Sequence, residues 1–146
     1  MIRPVKQEDL DSCEKLVSQP ETIAFNGEFV TKDWLSVLSD DKLSFVLIDE
    51  EQIYDEDKII GCIFGEKLKM NGCLLWLIAI VPEYKNRGYG SMLLKHLERV
   101  CIEEHSIEWM ILYSTTNSEM NHHFYTKHGF VNKSGTFYEF GKELSR

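Results

Sequence analysis

The sequence predicts an α/β (α+β) fold: a mixed, mostly antiparallel central sheet of six or seven strands flanked by about four helices. Three observations predict it. Apolar runs of strand length are interleaved with stretches whose apolar residues recur at helical spacing. The longest run, Leu74 to Val81, reads as a strand buried on both faces and ended by Pro82. Gly88 and Gly90 then bracket Tyr89 and lead into Leu93, Leu97, Val100 and Cys101, which fall at i, i+4, i+7 and i+8 of an amphipathic helix.

The elements follow in order. Ile2 to Val5 reads as a short strand. Leu10, Cys13, Leu16 and Val17 give helical spacing within Glu8 to Ser18, and Pro20 stops that helix. Thr31 is the expected N-cap of a helix from Lys32 to Ser39, with Trp34, Leu35 and Leu38 on one face. Leu43 to Ile48 and Lys58 to Leu68 read as strands, and Met70-Asn71-Gly72 as the turn before the central strand. Leu43 to Val81 is therefore an antiparallel meander of three strands.

After the glycine-led helix, Glu108 to Tyr113 is a further buried strand. It returns through a helix, so it is expected parallel to the central strand with a right-handed crossover. Ser114 to Ser118 supplies cap residues for a helix from about Ser118 to Lys127, ended by Gly129. Phe130-Val131 and Thr136 to Leu144 close the sheet as an antiparallel hairpin around Lys133-Ser134-Gly135. The last strand is expected at an edge, where it could pair between subunits, leaving a monomer or a homodimer open.

At 146 residues, 43% hydrophobic and 27% charged, the chain reads as a single globular domain, 1–146. A net charge of -8 argues against bulk-charge binding to nucleic acid or to anionic membranes and favours cationic partners. Cys13, Cys62, Cys73 and Cys101 form no C-x-x-C pair, and with no apolar run of membrane-spanning length the expected compartment is the cytoplasm. The acidic run from Asp49 to Asp57 reads either as a solvated hairpin loop or as a cation-collecting rim. No metal site is expected.

The glycine turn has a chemical use. Glycines let the backbone approach a ligand closely, and the first N–H groups of a helix have no partner within it. Anions bind there, so the turn reads as a phosphate or pyrophosphate cradle assisted by Lys85 and Arg87, or as an ordinary tight turn.

Two segments carry a resemblance. Ala79 to Leu97, containing Lys85-Asn86-Arg87-Gly88-Tyr89-Gly90, resembles the Q/R-x-x-G-x-G/A turn of the GNAT superfamily of acyl-CoA-dependent N-acetyltransferases, with Lys85 where Gln or Arg is usual. Asn121 to Phe130 resembles the same family's A-x-x-[LF]-Y-x-K-x-G-F, matching at Phe124, Tyr125, Lys127, Gly129 and Phe130 and placing Asn121 where the family has alanine. The element order also fits that family over Ile2 to Leu144, which implies a GNAT fold.

The resemblance implies acetyl-CoA as co-substrate and a primary amine, on a small molecule or a protein, as acceptor. Backbone N–H groups from Arg87 through Gly88, Tyr89 and Gly90 to Ser91 would hold the pyrophosphate, with Lys85 and Asn86 in the same turn. The pantetheine arm would lie along the backbone edge of Ile78, Ala79 and Ile80, where one N–H would polarise the thioester carbonyl. Tyr125 would protonate the departing CoA sulfur, or else is a core aromatic beside Phe124 and Phe130. Asn117 or Ser118 would contact the pantetheine, or serve only as a helix cap.

The general base is the gap. Relatives that use a glutamate carry it where this chain has Leu74 or Tyr113, so Glu66 on the neighbouring strand is the first candidate, with Tyr113 as a relay. His122 and His123 invite attention because histidine as a residue type works near neutrality, but they lie in a predicted helix, one of them expected to face solvent. The acceptor groove would be lined by Ala24 to Phe29 and Phe137 to Phe140, rich in Phe25, Phe29, Phe137, Tyr138 and Phe140. The alternative is a non-catalytic acyl-CoA-binding sensor or interaction module of the same fold.

Overall fold

The computed structural model describes residues 1–18, 30–50, 58–113, 119–132 and 139–145. Among these the chain runs β1 (Ile2–Pro4), α1 (Leu10–Val17), α2 (Lys32–Ser39), β2 (Ser44–Ile48), β3 (Ile59–Leu68) and β4 (Gly72–Ile80). It continues through α3 (Tyr89–His105), β5 (Trp109–Tyr113), α4 (Glu119–Lys127), β6 (Val131–Asn132) and β7 (Glu139–Glu143). The seven strands form one sheet in the order β1-β2-β3-β4-β5-β7-β6. Among the described strands only β4 and β5 pair in parallel, as the α3 crossover requires.

One expectation is corrected. The C-terminal strand is not an edge: β7 pairs with β5 on one side and with β6 on the other. Phe140 is 2% exposed, so β7 contributes to the core, while the two-residue β6 forms the edge, where short strands are tolerated.

The apolar residues of β4 serve two cores. Cys73, Leu75, Ile78 and Ile80 pack on one face with Leu93, Leu94 and Leu97 of α3, and with Met110, Leu112, Tyr125, Phe130 and Phe140. Leu77 and Ala79 pack on the other with Leu10 and Cys13 of α1 and Leu35 and Leu38 of α2. This is why the strand is apolar almost throughout. Truncating a fully buried residue such as Leu93 to alanine costs about 2–5 kcal/mol.

The change of parity along β4 has a local cause. Its partners on β3 pass from Phe64↔Leu77 to Gly65↔Leu75, leaving Trp76 as the extra residue of a β-bulge. A continuous apolar run hides such a bulge, because no alternation is there to be broken.

Helix ends follow the expected chemistry. Thr31 Oγ1 accepts the Trp34 N–H at 3.2 Å and caps α2. Gly129, at φ +89°, ends α4, with Phe130 N–H bonded to the Tyr125 carbonyl and Gly129 N–H to that of Thr126, both at 3.0 Å. All four cysteines are buried free thiols. Hydrogen bonding to Cys13 and burial push the Cys62 thiol well above its ordinary range; Cys101 and burial do the same to Cys73. Among the described residues no helix is long and apolar enough to cross a membrane.

Candidate active site

The parallel pairing of β4 with β5 begins at Gly72↔Trp109 and ends at Leu75↔Leu112. Beyond it, among the described residues, Trp76 bulges out of the ladder and Leu77 to Ile80 keep their pairing to β3 only. Strand hydrogen bonds alternate sides, so part of the backbone N–H and C=O groups of Trp76 to Ile80 points away from β3 along an edge that β5 has left. Ile78, Ala79 and Ile80 lie on this stretch.

The strand leads directly to the glycine turn. A short 3-10 segment, Pro82–Tyr84, is followed by Asn86 at φ +64° and Gly88 at φ +83°, and Gly88 is the N-cap of α3. Both are left-handed positions, and a Cβ on Gly88 would meet nothing within 4 Å. The glycine is therefore demanded by backbone conformation, and it faces open space. Met92 N–H returns to the Gly88 carbonyl at 3.0 Å, so Tyr89, Gly90 and Ser91 form the first turn, whose N–H groups have no acceptor inside the helix. Gly90 is different, because its Cβ would touch the Phe124 ring at 3.4 Å, an ordinary contact.

Charge and aromatic rings surround the turn. The Arg87 guanidinium lies 5.3 Å from the Tyr84 ring centroid, and the Tyr84 hydroxyl donates to Asp49 Oδ2 at 2.7 Å. Arg87 is exposed and Lys85 half-buried. Ser91 Oγ lies 2.8 Å from His128 Nε2, a contact between α3 and the end of α4 that the sequence reading missed. No sequence signal predicts it, since the pattern of the second segment leaves the position of His128 unspecified.

Tyr125 is fully buried among aromatic rings, 4.9 Å from Phe140 and 6.4 Å from Phe130, centroid to centroid. His122 packs 5.1 Å from Phe140, and His123 is exposed. Leu74 is buried, while Tyr113 is 48% exposed. Glu66 lies opposite Leu74 in the β3–β4 register, and its Oε1 accepts the indole N–H of Trp76 at 2.9 Å. The bulge residue thus ties Glu66 to the start of the open β4 edge. Asn117, Ser118, Ala24 to Phe29, Phe137 and Tyr138 lie outside the described residues.

A family model described as "Acetyltransferase (GNAT) domain" matches residues 41–132, a span that holds β4, the glycine turn, α3 and α4. The chain belongs to the GNAT family. Solved structures share the GNAT fold along its length. Ard1 from Thermoplasma volcanium matches with a TM-score of 0.83 at 19% identity, over 100% of this chain and 98% of that one. The ribosomal-protein-S18-alanine N-acetyltransferase from Escherichia coli matches with a TM-score of 0.76 at 16% identity, over 100% and 94%. The PaiA N-acetyltransferase from Thermoplasma acidophilum, crystallised with coenzyme A, matches with a TM-score of 0.70 at 17% identity, over 98% of each chain. Within this GNAT domain the family match covers both sequence segments, while β7, with Phe140, lies beyond it.

Proposed function

We propose that this chain, folded as one domain, is an N-acetyltransferase that moves the acetyl group of acetyl-CoA directly onto a primary amine of a small molecule or a protein. The observation that carries the reading is the joining of an open β4 edge to a glycine-capped helix N-terminus by one short turn. The residues fit the co-substrate on two counts. Space is open over Gly88, and β4 is released from β5 from Trp76 onward.

Acetyl-CoA supplies the activated acyl group, and this chain's residues orient it. The N–H groups of Gly88, Tyr89, Gly90 and Ser91 would hold the pyrophosphate, with Lys85, Asn86 and Arg87 around them. Backbone groups of Ile78, Ala79 and Ile80 would bind the pantetheine as an added strand, and one N–H would polarise the carbonyl. Tyr125 would donate its phenolic proton to the departing sulfur, since a phenol ordinarily keeps that proton until about pH 10. Glu66, held by Trp76, would accept the acceptor's proton directly or through water. Buried free thiols are compatible with a cytoplasmic setting.

The test is CoA binding by calorimetry together with thiol release over a panel of primary amines. Binding that is lost in Gly88→Asp, with turnover on at least one amine, supports the assignment. CoA affinity that survives Gly88→Asp contradicts the cradle, and binding without turnover on any amine favours the non-catalytic acyl-CoA-binding reading.

A further inference from the structure

The sheet face that carries α1 and α2 extends past them. Those helices pack on β3 and β4, and β5 and β7 continue the face toward the edge. Met110, Leu112 and Phe140 point into the α3 core, so strand alternation places Ile111, Tyr113, Glu139 and Gly141 on the α1–α2 side. Ile111 pairs with Gly141 and Tyr113 with Glu139, and a groove of about 740 Å³ runs along β5 and β7, lined by Ile111, Glu139 and Gly141 and, toward the start of β5, by Trp109, Lys142 and Glu143.

The β4 wall of this face is aromatic and acidic. Trp34 and Trp76 meet edge to face with centroids 4.8 Å apart, and both indoles are half-buried. Trp76 in turn donates to Glu66. Trp76 and Tyr113 are the next residues along β4 and β5 after their last pair, where the two strands part, and Glu139 is paired with Tyr113. Among the described residues, neither Glu66 nor Glu139 has an ion-pair partner. Half-buried carboxylates beside indole and phenol rings attract alkylammonium groups: rings take the methylenes and polarised C–H groups, and carboxylates take the charge.

We infer that the acceptor is a diamine or polyamine lying across this face. Its reacting amine enters beside Trp76 and Glu66 at the open β4 edge, and a second ammonium rests against Tyr113 and Glu139. The inference rests on the N-acetyltransferase reading and adds the acceptor's chemistry to it. The span from β4 to β7 is two strand spacings, about 10 Å; with about 3 Å of it taken by the ammonium–carboxylate contact, the two nitrogens lie about 7 Å apart, which corresponds to roughly four to six methylenes. Glu139 and Tyr113 are then specificity residues: they read the remote charge and take no part in the transfer.

The experiment compares kcat/KM for 1,5-diaminopentane and for 1-aminopentane at saturating acetyl-CoA. Wild type, Glu139→Gln and Glu103→Gln are assayed, the last being a charge-matched control on the exposed side of α3. The expected result is a preference for the diamine of about tenfold or more, retained in Glu103→Gln and collapsed to about unity in Glu139→Gln. Equal use of the two amines by wild type overturns the inference, as does a preference that survives Glu139→Gln. Acetylation of a neutral tetrapeptide N-terminus with neither alkylamine used overturns it too, and leaves the N-acetyltransferase reading standing. Turnover of no amine at all overturns both.

Discussion

Ser91 Oγ lies 2.8 Å from Nε2 of His128, joining the first turn of α3 to the end of α4. Burial, then the charges of Lys142, Lys127 and Lys95, hold His128 below the ordinary histidine value, so the ring is neutral at pH 7. The unfolded chain therefore takes up this proton at a higher pH than the fold does. The contribution to stability is complete above about pH 6.5 and is lost as pH falls through the window between that value and the lowered one. His96, lowered by burial and by Arg99, acts with the same sign. Urea unfolding between about pH 5 and 8 should show stability rising with pH, with a smaller slope in His128→Asn and a remainder owed to His96. An unaltered slope in that variant would contradict a neutral His128 in the fold.

Gly88 and Gly90 should respond differently to alanine. Gly88 sits at φ +83° with no neighbour within 4 Å of a Cβ, so Gly88→Ala strains the backbone by about 1–2 kcal/mol without a clash. Gly90 is helical, and its Cβ would rest 3.4 Å from Phe124, so Gly90→Ala should be near neutral in stability. Thermal unfolding of the two variants checks the contrast. Equal losses would mean that space rather than backbone conformation selects these glycines.

Tyr125→Phe removes one oxygen and keeps the ring packing against Phe140 and Phe130. The expected result is a fall in kcat of about a hundredfold with CoA affinity retained. Tyr125→Ala instead opens a cavity and destabilises by about 3–5 kcal/mol. Wild-type kcat in Tyr125→Phe would leave this residue a core aromatic only.

Acid stability should depend on Asp9. Its carboxylate is 4% exposed and receives Arg3 Nη1 at 2.7 Å, Arg3 Nη2 at 3.0 Å and the Lys6 N–H at 2.7 Å. Burial alone would raise its pKa, but the bonds from Arg3 and Lys6, with the Arg3 charge, outweigh burial and lower it. The contribution is present above about pH 4 and is lost as pH falls through the lowered value. Asp9→Ala should cost about 2–3 kcal/mol at neutral pH and flatten the acid limb of a stability profile below about pH 4.

Local chemistry made most of the fold legible before the structure. Thr31 as a cap, Gly129 as a helix end and the i, i+4, i+7 spacing after Gly90 each act within a few residues, so the sequence carries them. The parallel β4–β5 pair also followed from its helical crossover. What failed was long-range. The position of β7 between β5 and β6 depends on which strand Phe140 can bury against, and neighbouring residues do not encode that. The Trp76 bulge was masked because every residue from Leu74 to Val81 is apolar, and with it the Trp76–Glu66 contact. At the site, the turn and Tyr125 were nameable from two spaced segments, whereas His128 and the Trp34–Trp76 pair emerge only when separate elements meet.

The most direct test of the central claim is a stoichiometry under multiple-turnover conditions: free CoA thiol released, N-acetylated amine formed, and the intact mass of the protein recovered afterward. Direct transfer predicts thiol and N-acetyl product in equal amounts with the protein mass unchanged. Thiol release without N-acetyl product, or a protein carrying an added acetyl group that is passed on to the amine, would contradict it.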